Sequence, residues 1–513
     1  MLSVKTISKG IVSVGTWSAT KLLVTGIVLP VYSRLLGIEG YGQYAYYVAV
    51  LLLASQPANC GMRQTLTKYI AERAEDRSWQ RRAATFAGSV NAIAAGVVGA
   101  IVTFLMLSSS HFEFQSIALA AVVVGLLWSE QLLQYASGIL YGLHREEEAT
   151  LPASLGVVLG GGLGVALAAT GFGVLGALSG MLMSGILVAV VTMRLAWQAI
   201  GRPLEGEGEA SLPRRDLLQF GLSSMAYAGI AMTLYSVDIL LVRHFAGDQQ
   251  TGLYAAAVQW SEFVWFIPIA IEGVMLQSTA SLWAQGRVVE ITQLVSRLTR
   301  YVALTTAFLL IFVLVFSEQI VTLYFGPEFR DAAVPLQLLV PGSFAFSLAR
   351  VIRPVIQARG WVMTLLKVVG AAAVINTAMN LALVPSWGAA GASVATSISF
   401  IGVAVAFVRL LHVEGARTSQ GFSTSRFALL CTATAAVLAP IALSILSSVI
   451  ALAVGGIVAL GLYWAGVLWL GLIRVRELER IVDSLPGPLR RVGVKLMRMF
   501  QPMLIRLDAI ALG

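Results

Sequence analysis

Charge and sulfur are both scarce in this 513-residue sequence. Only 12% of residues are charged while 58% are hydrophobic, and the mean hydropathy is +0.82. A soluble domain carries roughly 25% charged residues, so the composition excludes one and places the chain in a bilayer. The two cysteines, Cys60 and Cys431, fall in or near different apolar segments, which argues against a disulfide framework. The four histidines (His111, His144, His244, His412) sit at segment margins without ligand spacing, so no metal site and no bound cofactor is expected. No Gly-rich nucleotide loop and no nucleophile motif occurs. The one glycine cluster, Gly160-Gly161-Gly162-Leu163-Gly164, lies inside an apolar segment. With Gly156 it sets small residues at i, i+4 and i+8, the spacing of close helix packing.

What the chain has is apolar length. A helix needs roughly 20 apolar residues to cross about 30 Å of hydrocarbon. Fourteen segments qualify: 10–32, 43–61, 84–107, 117–141, 150–170, 173–195, 217–241, 253–278, 301–324, 334–356, 363–384, 388–411, 427–448 and 450–473. The fifth and sixth are separated by little more than Thr170-Gly171-Phe172. If the N-terminus is cytoplasmic, 29 of the 35 Lys and Arg fall on cytoplasmic termini, linkers or their margins. Three (Arg34, Arg243, Arg330) then lie at external ends and three (Lys21, Arg350, Arg353) inside spans. That asymmetry predicts both termini inside. The sequence pI near 9.7 then reflects anchoring to anionic lipid, not nucleic-acid binding. The first apolar stretch is too long, and lacks the small-residue pattern, for a cleaved signal. The expected class is an all-α polytopic protein of the cytoplasmic membrane.

The same short signals recur at one spacing. Gly42-Gln43-Tyr44-Ala45 is echoed 210 residues on by Gly252-Leu253-Tyr254-Ala255. Gly173-Val174-Leu175-Gly176-Ala177 is echoed 215 residues on by Gly388-Ala389-Ala390-Gly391-Ala392, and Gly142-Leu143-His144-Arg145 by Gln357-Ala358-Arg359-Gly360 at a similar offset. Three ordered echoes predict two related halves, and in a membrane protein that points to a transporter. The expected organisation is a six-helix bundle (1–200), a polar linker (201–215), a second six-helix bundle (216–412), two further spans (413–473) and a basic amphipathic tail on the inner surface (474–513). Two cytoplasmic stretches, 68–82 and 285–300, are expected to be charged helices. The Gly-x-Tyr-Ala echo is expected to mark a packing and turn element at the outer end of the first hairpin in each half. The longest external linkers, 108–116 and 326–333, cannot house a catalytic domain, so no enzyme activity is expected.

Ionisable groups at membrane depth cost roughly 2.5–3.5 kcal/mol each on insertion scales and are functional candidates by default. Lys21 lies mid-span in the first segment and Glu130 mid-span in the fourth. Asp238, Glu262 and Glu272 lie in the seventh and eighth, and Arg350 and Arg353 in the tenth. Polar stripes at helical spacing accompany them: Glu130, Gln134, Ser137 and Tyr141; Ser224, Tyr227, Tyr235 and Asp238; Ser18, Lys21 and Thr25. Arg350 and Arg353, at i and i+3, can reach one anion together. Blander readings stand beside these. Lys21 and Glu130 share a depth and can form a structural ion pair, Arg350 and Arg353 can snorkel inward, and Arg34 and Arg243 can contact headgroups at the outer surface.

Taken together, residues 29–72 (Pro30, Arg34-Leu35-Leu36-Gly37, Tyr41-Gly42-Gln43-Tyr44-Ala45, Cys60-Gly61-Met62) and their counterpart 238–286 resemble the multidrug/oligosaccharidyl-lipid/polysaccharide (MOP) superfamily, specifically its polysaccharide-biosynthesis (Wzx-type) flippases. The resemblance covers essentially the whole chain. It implies alternating access and a cargo of oligosaccharide on a polyprenyl (di)phosphate carrier, moved from the inner to the outer leaflet. In that setting Lys21, Arg350 and Arg353, with Arg34 and Arg243, are candidates to attract phosphate. Glu130, Asp238, Glu262 and Glu272 are candidates to bind a coupling H⁺ or Na⁺, and Gln134, Tyr227 and Tyr235 to line the path. The implied partners are the lipid-linked substrate, membrane lipids and a polysaccharide polymerase or glycosyltransferase, with the flippase itself a monomer. A lipid II flippase of the same superfamily is the alternative; its usual arginine-rich first span is here reduced to Lys21. A membrane-embedded glycosyltransferase or polymerase is the alternative from another class, and the short external linkers argue against it.

Overall fold

A computed structural model describes residues 4–73, 75–108, 114–201, 211–418, 423–444 and 448–473. The expected tail helix (474–513), most of the 201–215 linker, His111 and the Ser18 side chain lie outside the described residues. Every regular element among those described is helical. In a chain this apolar a helix satisfies each backbone N–H and C=O within its own segment, where lipid would offer no partner. The helices are α1 (Val4–Asn59), α2 (Met62–Glu72), α3 (Arg77–Ser108), α4 (Phe114–Gly142), α5 (Glu146–Leu167), α6 (Gly173–Ile200), α7 (Arg214–Phe263), α8 (Phe266–Ala284), α9 (Val288–Val315), α10 (Ser317–Tyr324), α11 (Ala333–Ala358), α12 (Val362–Val413), α13 (Thr424–Ala442) and α14 (Ser448–Trp469). Ten helical stretches among the described residues are long and apolar enough to cross a membrane.

Four of those ten stretches are interrupted by a glycine with non-helical dihedrals: Gly37 (φ 67°, ψ 179°) in α1, Gly171 (φ 97°, ψ 0°) between α5 and α6, Gly247 (φ 82°, ψ −180°) in α7 and Gly388 (φ 52°, ψ −129°) in α12. Positive φ is open to glycine at little cost because it has no Cβ. The chain reverses at each. The rings of Tyr32 and Tyr44 lie 5.1 Å apart, whereas twelve residues of straight helix would separate them by about 18 Å. The Tyr254 hydroxyl is 2.8 Å from Asp238, sixteen residues earlier. A Cβ on Gly391 would stand 2.7 Å from the Leu383 carbonyl oxygen, and one on Gly180 only 2.2 Å from the Gly164 nitrogen. The α5–α6 hairpin bears out the packing reading of the glycine stripe: Gly156, Gly160 and Gly164 face Val188, Ser184 and Ala177, with no room for a side chain.

The backbone also carries the repeat. Gly37 and Gly247 stand 210 residues apart with the same extended ψ, and Gly173 (φ 53°, ψ −132°) and Gly388 (φ 52°, ψ −129°) stand 215 apart with nearly identical dihedrals. This corrects one expectation. The turn falls five residues before Gly-x-Tyr-Ala, at Gly37 and Gly247, and the motif itself is helical. Its glycines serve approach instead. A Cβ on Gly42 would lie 2.0 Å from the Asp248 carbonyl oxygen, and one on Gly252 would lie 2.3 Å from the Ile38 carbonyl oxygen. Ile38 and Asp248 are equivalent in the two copies, so the contact is reciprocal.

Packing divides the chain differently from the repeat. One compact unit comprises Met1–Ala255 and Val369–Ala395, the other Ala256–Val368 and Thr396–Gly513. The first has a core in which Met62, Leu66 and Ile70 of α2 pack with Ala84, Tyr135, Ile139, Leu140, Ala196 and Ile200. In the second, the buried Trp265 ring lies against Phe346 and Phe400, and the buried Tyr463 of α14 donates to the Leu304 carbonyl at 2.8 Å. Three segment boundaries also differ from expectation. Residues 68–82 are not one helix: α2 stops at Glu72, and the Asp76 carboxylate accepts the Trp79 N–H (2.8 Å) to start α3. The ninth segment ends at Val315, with α10 as a separate short helix. The eighth breaks at Val264–Trp265 because Pro268 has no N–H for the Val264 carbonyl and its ring crowds that carbonyl.

Candidate functional site

Two polar clusters bury charge at membrane depth, one in each compact unit. In the first, Asp238 on α7 is 1% exposed. The reversal at Gly247 brings Tyr254 back to it, and the Tyr254 hydroxyl donates to Oδ2 at 2.8 Å. Asn380, on the first arm of α12, donates through Nδ2 to Asp238 Oδ1 at 2.9 Å and lies 3.1 Å from Asn376 Oδ1. The Asn380 Oδ1 is buried and accepts no hydrogen bond. The cluster therefore gathers a carboxylate and two amide oxygens, a hard-oxygen donor set of the kind that suits a proton or a small hard cation. Sequence reasoning selected Asp238 and missed its partners, although Asn376 and Asn380 stand at i and i+4 inside an apolar segment.

Near the Gly247 turn, Arg243 is already engaged. Its Nε donates to Asp248 Oδ1 at 2.7 Å, its guanidinium lies 3.8 Å from the Tyr46 ring centroid, and Gln43 Nε2 donates to the other Asp248 oxygen at 2.8 Å. These bonds make Arg243 a clamp between the two copies of the repeat.

The second cluster joins three residues that the sequence had sorted into separate roles. Glu272 on α8 accepts from Arg350 Nη1 at 3.3 Å and is ion-paired with Arg353 Nη2 as well. The side chains of Glu272, Arg350 and Arg353 are 14%, 16% and 34% exposed. Arg350 is also caged: its guanidinium lies 4.8 Å from the Trp265 ring centroid and 5.4 Å from that of Phe346. Trp265 is fixed in turn by its N–H to the Ser343 carbonyl (3.3 Å). The Nε groups of both arginines are buried without a hydrogen-bond partner. Glu272 thus stands as the counter-ion of the arginine pair. Trp265 escaped the sequence reading, although Pro268 signals the helix break that positions it. Pro354, four residues after Arg350 in α11, leaves the Arg350 carbonyl without its helical donor.

The remaining candidates stay apart. Lys21 and Arg34 are exposed. Glu130 is half-buried and accepts from Gln134 Nε2 of its own helix at 2.6 Å; among the described residues no ion pair links it to Lys21. Tyr227, Tyr235 and Glu262 are half-buried.

Comparison with known proteins accords with this architecture. The family model described as polysaccharide biosynthesis protein matches residues 7–268, and the MatE model matches 225–382. The probable low-salt glycan biosynthesis flippase Agl15 of Haloferax volcanii is 23% identical over 72% of this chain and 76% of its own length. An uncharacterized membrane protein of Methanocaldococcus jannaschii is 21% identical over 53% of this chain, which spans only 54% of that relative's length. Among solved structures, the lipid II flippase MurJ in an inward closed conformation superposes with a TM-score of 0.67 at 12% identity, covering 87% of this chain and 97% of MurJ. An inward-facing multidrug resistance MATE family transporter of the MOP superfamily gives 0.60 at 15% identity, covering 77% and 94%. The helical hairpins, the internal repeat and these matches lead to one assignment: the chain belongs to the polysaccharide biosynthesis protein family and has the MOP-type fold.

Proposed function

We propose that the protein is a flippase that carries a glycan on a polyprenyl phosphate or diphosphate from the inner to the outer leaflet of the cytoplasmic membrane by alternating access. The observation that carries this reading is the pair Arg350 and Arg353, both paired with Glu272 in apolar helices, each with an unpartnered Nε and Arg350 lying against aromatic rings. A phosphate entering a low-dielectric site needs fixed cations, since an unpaired buried charge costs several kcal/mol. The likeness to the Haloferax glycan biosynthesis flippase supports a glycan cargo. Likeness to MurJ lies in the fold alone, so nothing favours lipid II. We read the ten apolar stretches, four of them reversed at a glycine, as fourteen spans. Both termini are then cytoplasmic, in keeping with the distribution of Lys and Arg.

Asp238, Asn376 and Asn380 supply the coupling site in this reading. Coupling needs a group whose proton or Na⁺ occupancy differs between two states, and a carboxylate held by neutral donors can make that change. The test is glycan export in a flippase-null strain. Neutralising Lys21, Arg350 and Arg353 together is expected to abolish export; normal export would sink the phosphate role. Asp238→Asn is expected to uncouple transport from the ion gradient, and full gradient-dependent transport in that variant would remove Asp238 from coupling.

A further inference from the structure

The cluster of Glu272, Arg350 and Arg353 has a definite charge. Two guanidinium groups face one carboxylate, Arg350 and Arg353 both pairing with Glu272. By formal charge one positive charge is left over, at a site where Arg350 and Glu272 are mostly buried and Arg353 is one-third exposed. From this we infer that Glu272 is a specificity residue: it sets the arginine site to accept a headgroup with a single negative charge, so the carrier is linked to its glycan through a phosphodiester and not through a diphosphate. The inference rests on reading Arg350 and Arg353 as the phosphate site.

Three features of the cluster support it. A phosphodiester brings the site to neutrality with the Glu272 ion pairs intact. A diphosphate diester carries two negative charges, so it either leaves one excess charge buried or expels Glu272 from its partners. Each alternative leaves an unpaired ion in low dielectric, which is unfavourable. The donor count agrees, because the two unpartnered Nε–H groups, one on each arginine, match the two non-bridging oxygens of one phosphodiester. Finally, Trp265 and Phe346 flank Arg350, which favours its guanidinium staying beside Glu272 over reaching outward to a second phosphate.

The experiment uses the purified full chain in lipid nanodiscs and two probes sharing a short prenyl chain and one N-acetylglucosamine. One is linked by a phosphate and the other by a diphosphate, and calorimetry gives both Kd values. The wild type is expected to bind the phosphodiester at least tenfold tighter. Glu272→Gln raises the net charge to two positive and is expected to tighten the diphosphate relative to the phosphodiester by more than the wild-type preference, reversing the order. The double variant Glu272→Gln/Arg353→Gln returns the charge to one and is expected to restore the original order. A wild type that prefers the diphosphate, or an order that Glu272→Gln leaves unchanged, overturns the inference. If export still depends on Arg350 and Arg353 in that case, the flippase reading survives its failure. A wild type that binds neither probe overturns the arginine site itself and the inference with it. Should Glu272→Gln not yield monodisperse protein, Arg353→Gln approaches from the other side. At zero net charge it is expected to weaken the diphosphate at least threefold more than the phosphodiester, and an unchanged ratio overturns the inference.

Discussion

The two copies of the repeat bend the backbone alike and use the bend differently. Gly37 and Gly247 share one geometry, and Gly42 and Gly252 each press on a carbonyl of the other copy. The tyrosines that follow have parted ways. Tyr44 packs edge-on against Tyr32 and bonds the Met181 sulfur at 3.6 Å, whereas Tyr254 donates to the buried Asp238. The first copy is wholly a packing device. The second has the same shape with a carboxylate built into it. Duplication supplied the scaffold, and the chemistry came from side chains that no longer match.

The hardest way to break this comparison is to attack what the copies share. Gly42→Ala and Gly252→Ala each drive a methyl into backbone with no flexible neighbour to yield, and each is expected to cost about 3 kcal/mol. Thermal unfolding in detergent checks this, and a wild-type transition in either variant would mean the contact is looser than described. What the copies do not share comes next. Tyr254→Phe removes a donor from a buried carboxylate and is expected to cost about 2 kcal/mol and to weaken ion coupling, while Tyr44→Phe loses only a weak thioether bond and stays within about 0.5 kcal/mol of wild type. Similar losses from both would erase the distinction drawn here. Arg243→Lys keeps the charge opposite Asp248 but gives up the planar fork and the stacking on Tyr46. About 1 kcal/mol is expected, read from the same unfolding assay. The smallest effect belongs to a glycine outside every contact: a Cβ on Gly162 meets nothing within 4 Å. Gly162→Ala is expected to be neutral or to stabilise by about 0.5–1 kcal/mol through helix propensity, whereas Gly180→Ala, facing the Gly164 backbone in the same hairpin, is expected to destabilise.

Much of the fold was legible because lipid simplifies the code. Apolar length gives the helices, and glycine spacing gives both the α5–α6 hairpin and the repeat. The turn position was misjudged because Gly42 and Gly252 are the more conspicuous glycines, while only backbone geometry tells a glycine needed for positive φ from one needed for close approach. At the candidate sites, Asp238, Arg350, Arg353 and Glu272 stand out as charges in apolar segments. Their pairing was not legible, since helical spacing relates residues on one helix and is silent on which helices meet. Glu272 reaches Arg350 and Arg353 across 78 and 81 residues. The partners that carry no charge, Asn380 and Trp265, were hidden for the further reason that a neutral side chain at membrane depth raises no alarm.

The reciprocal glycine contact also bears on ancestry. Gly42 meets Asp248 as Gly252 meets Ile38, so exchanging the copies maps the contact onto itself. That is the signature of an isologous interface, the kind two identical subunits form across a two-fold axis. A half-length chain carrying Gly37 and Gly42 would present this same contact to a second copy of itself. Fusion of two such chains would have turned a concentration-dependent association into an intramolecular one, leaving each half free to lose the symmetry the interface once required.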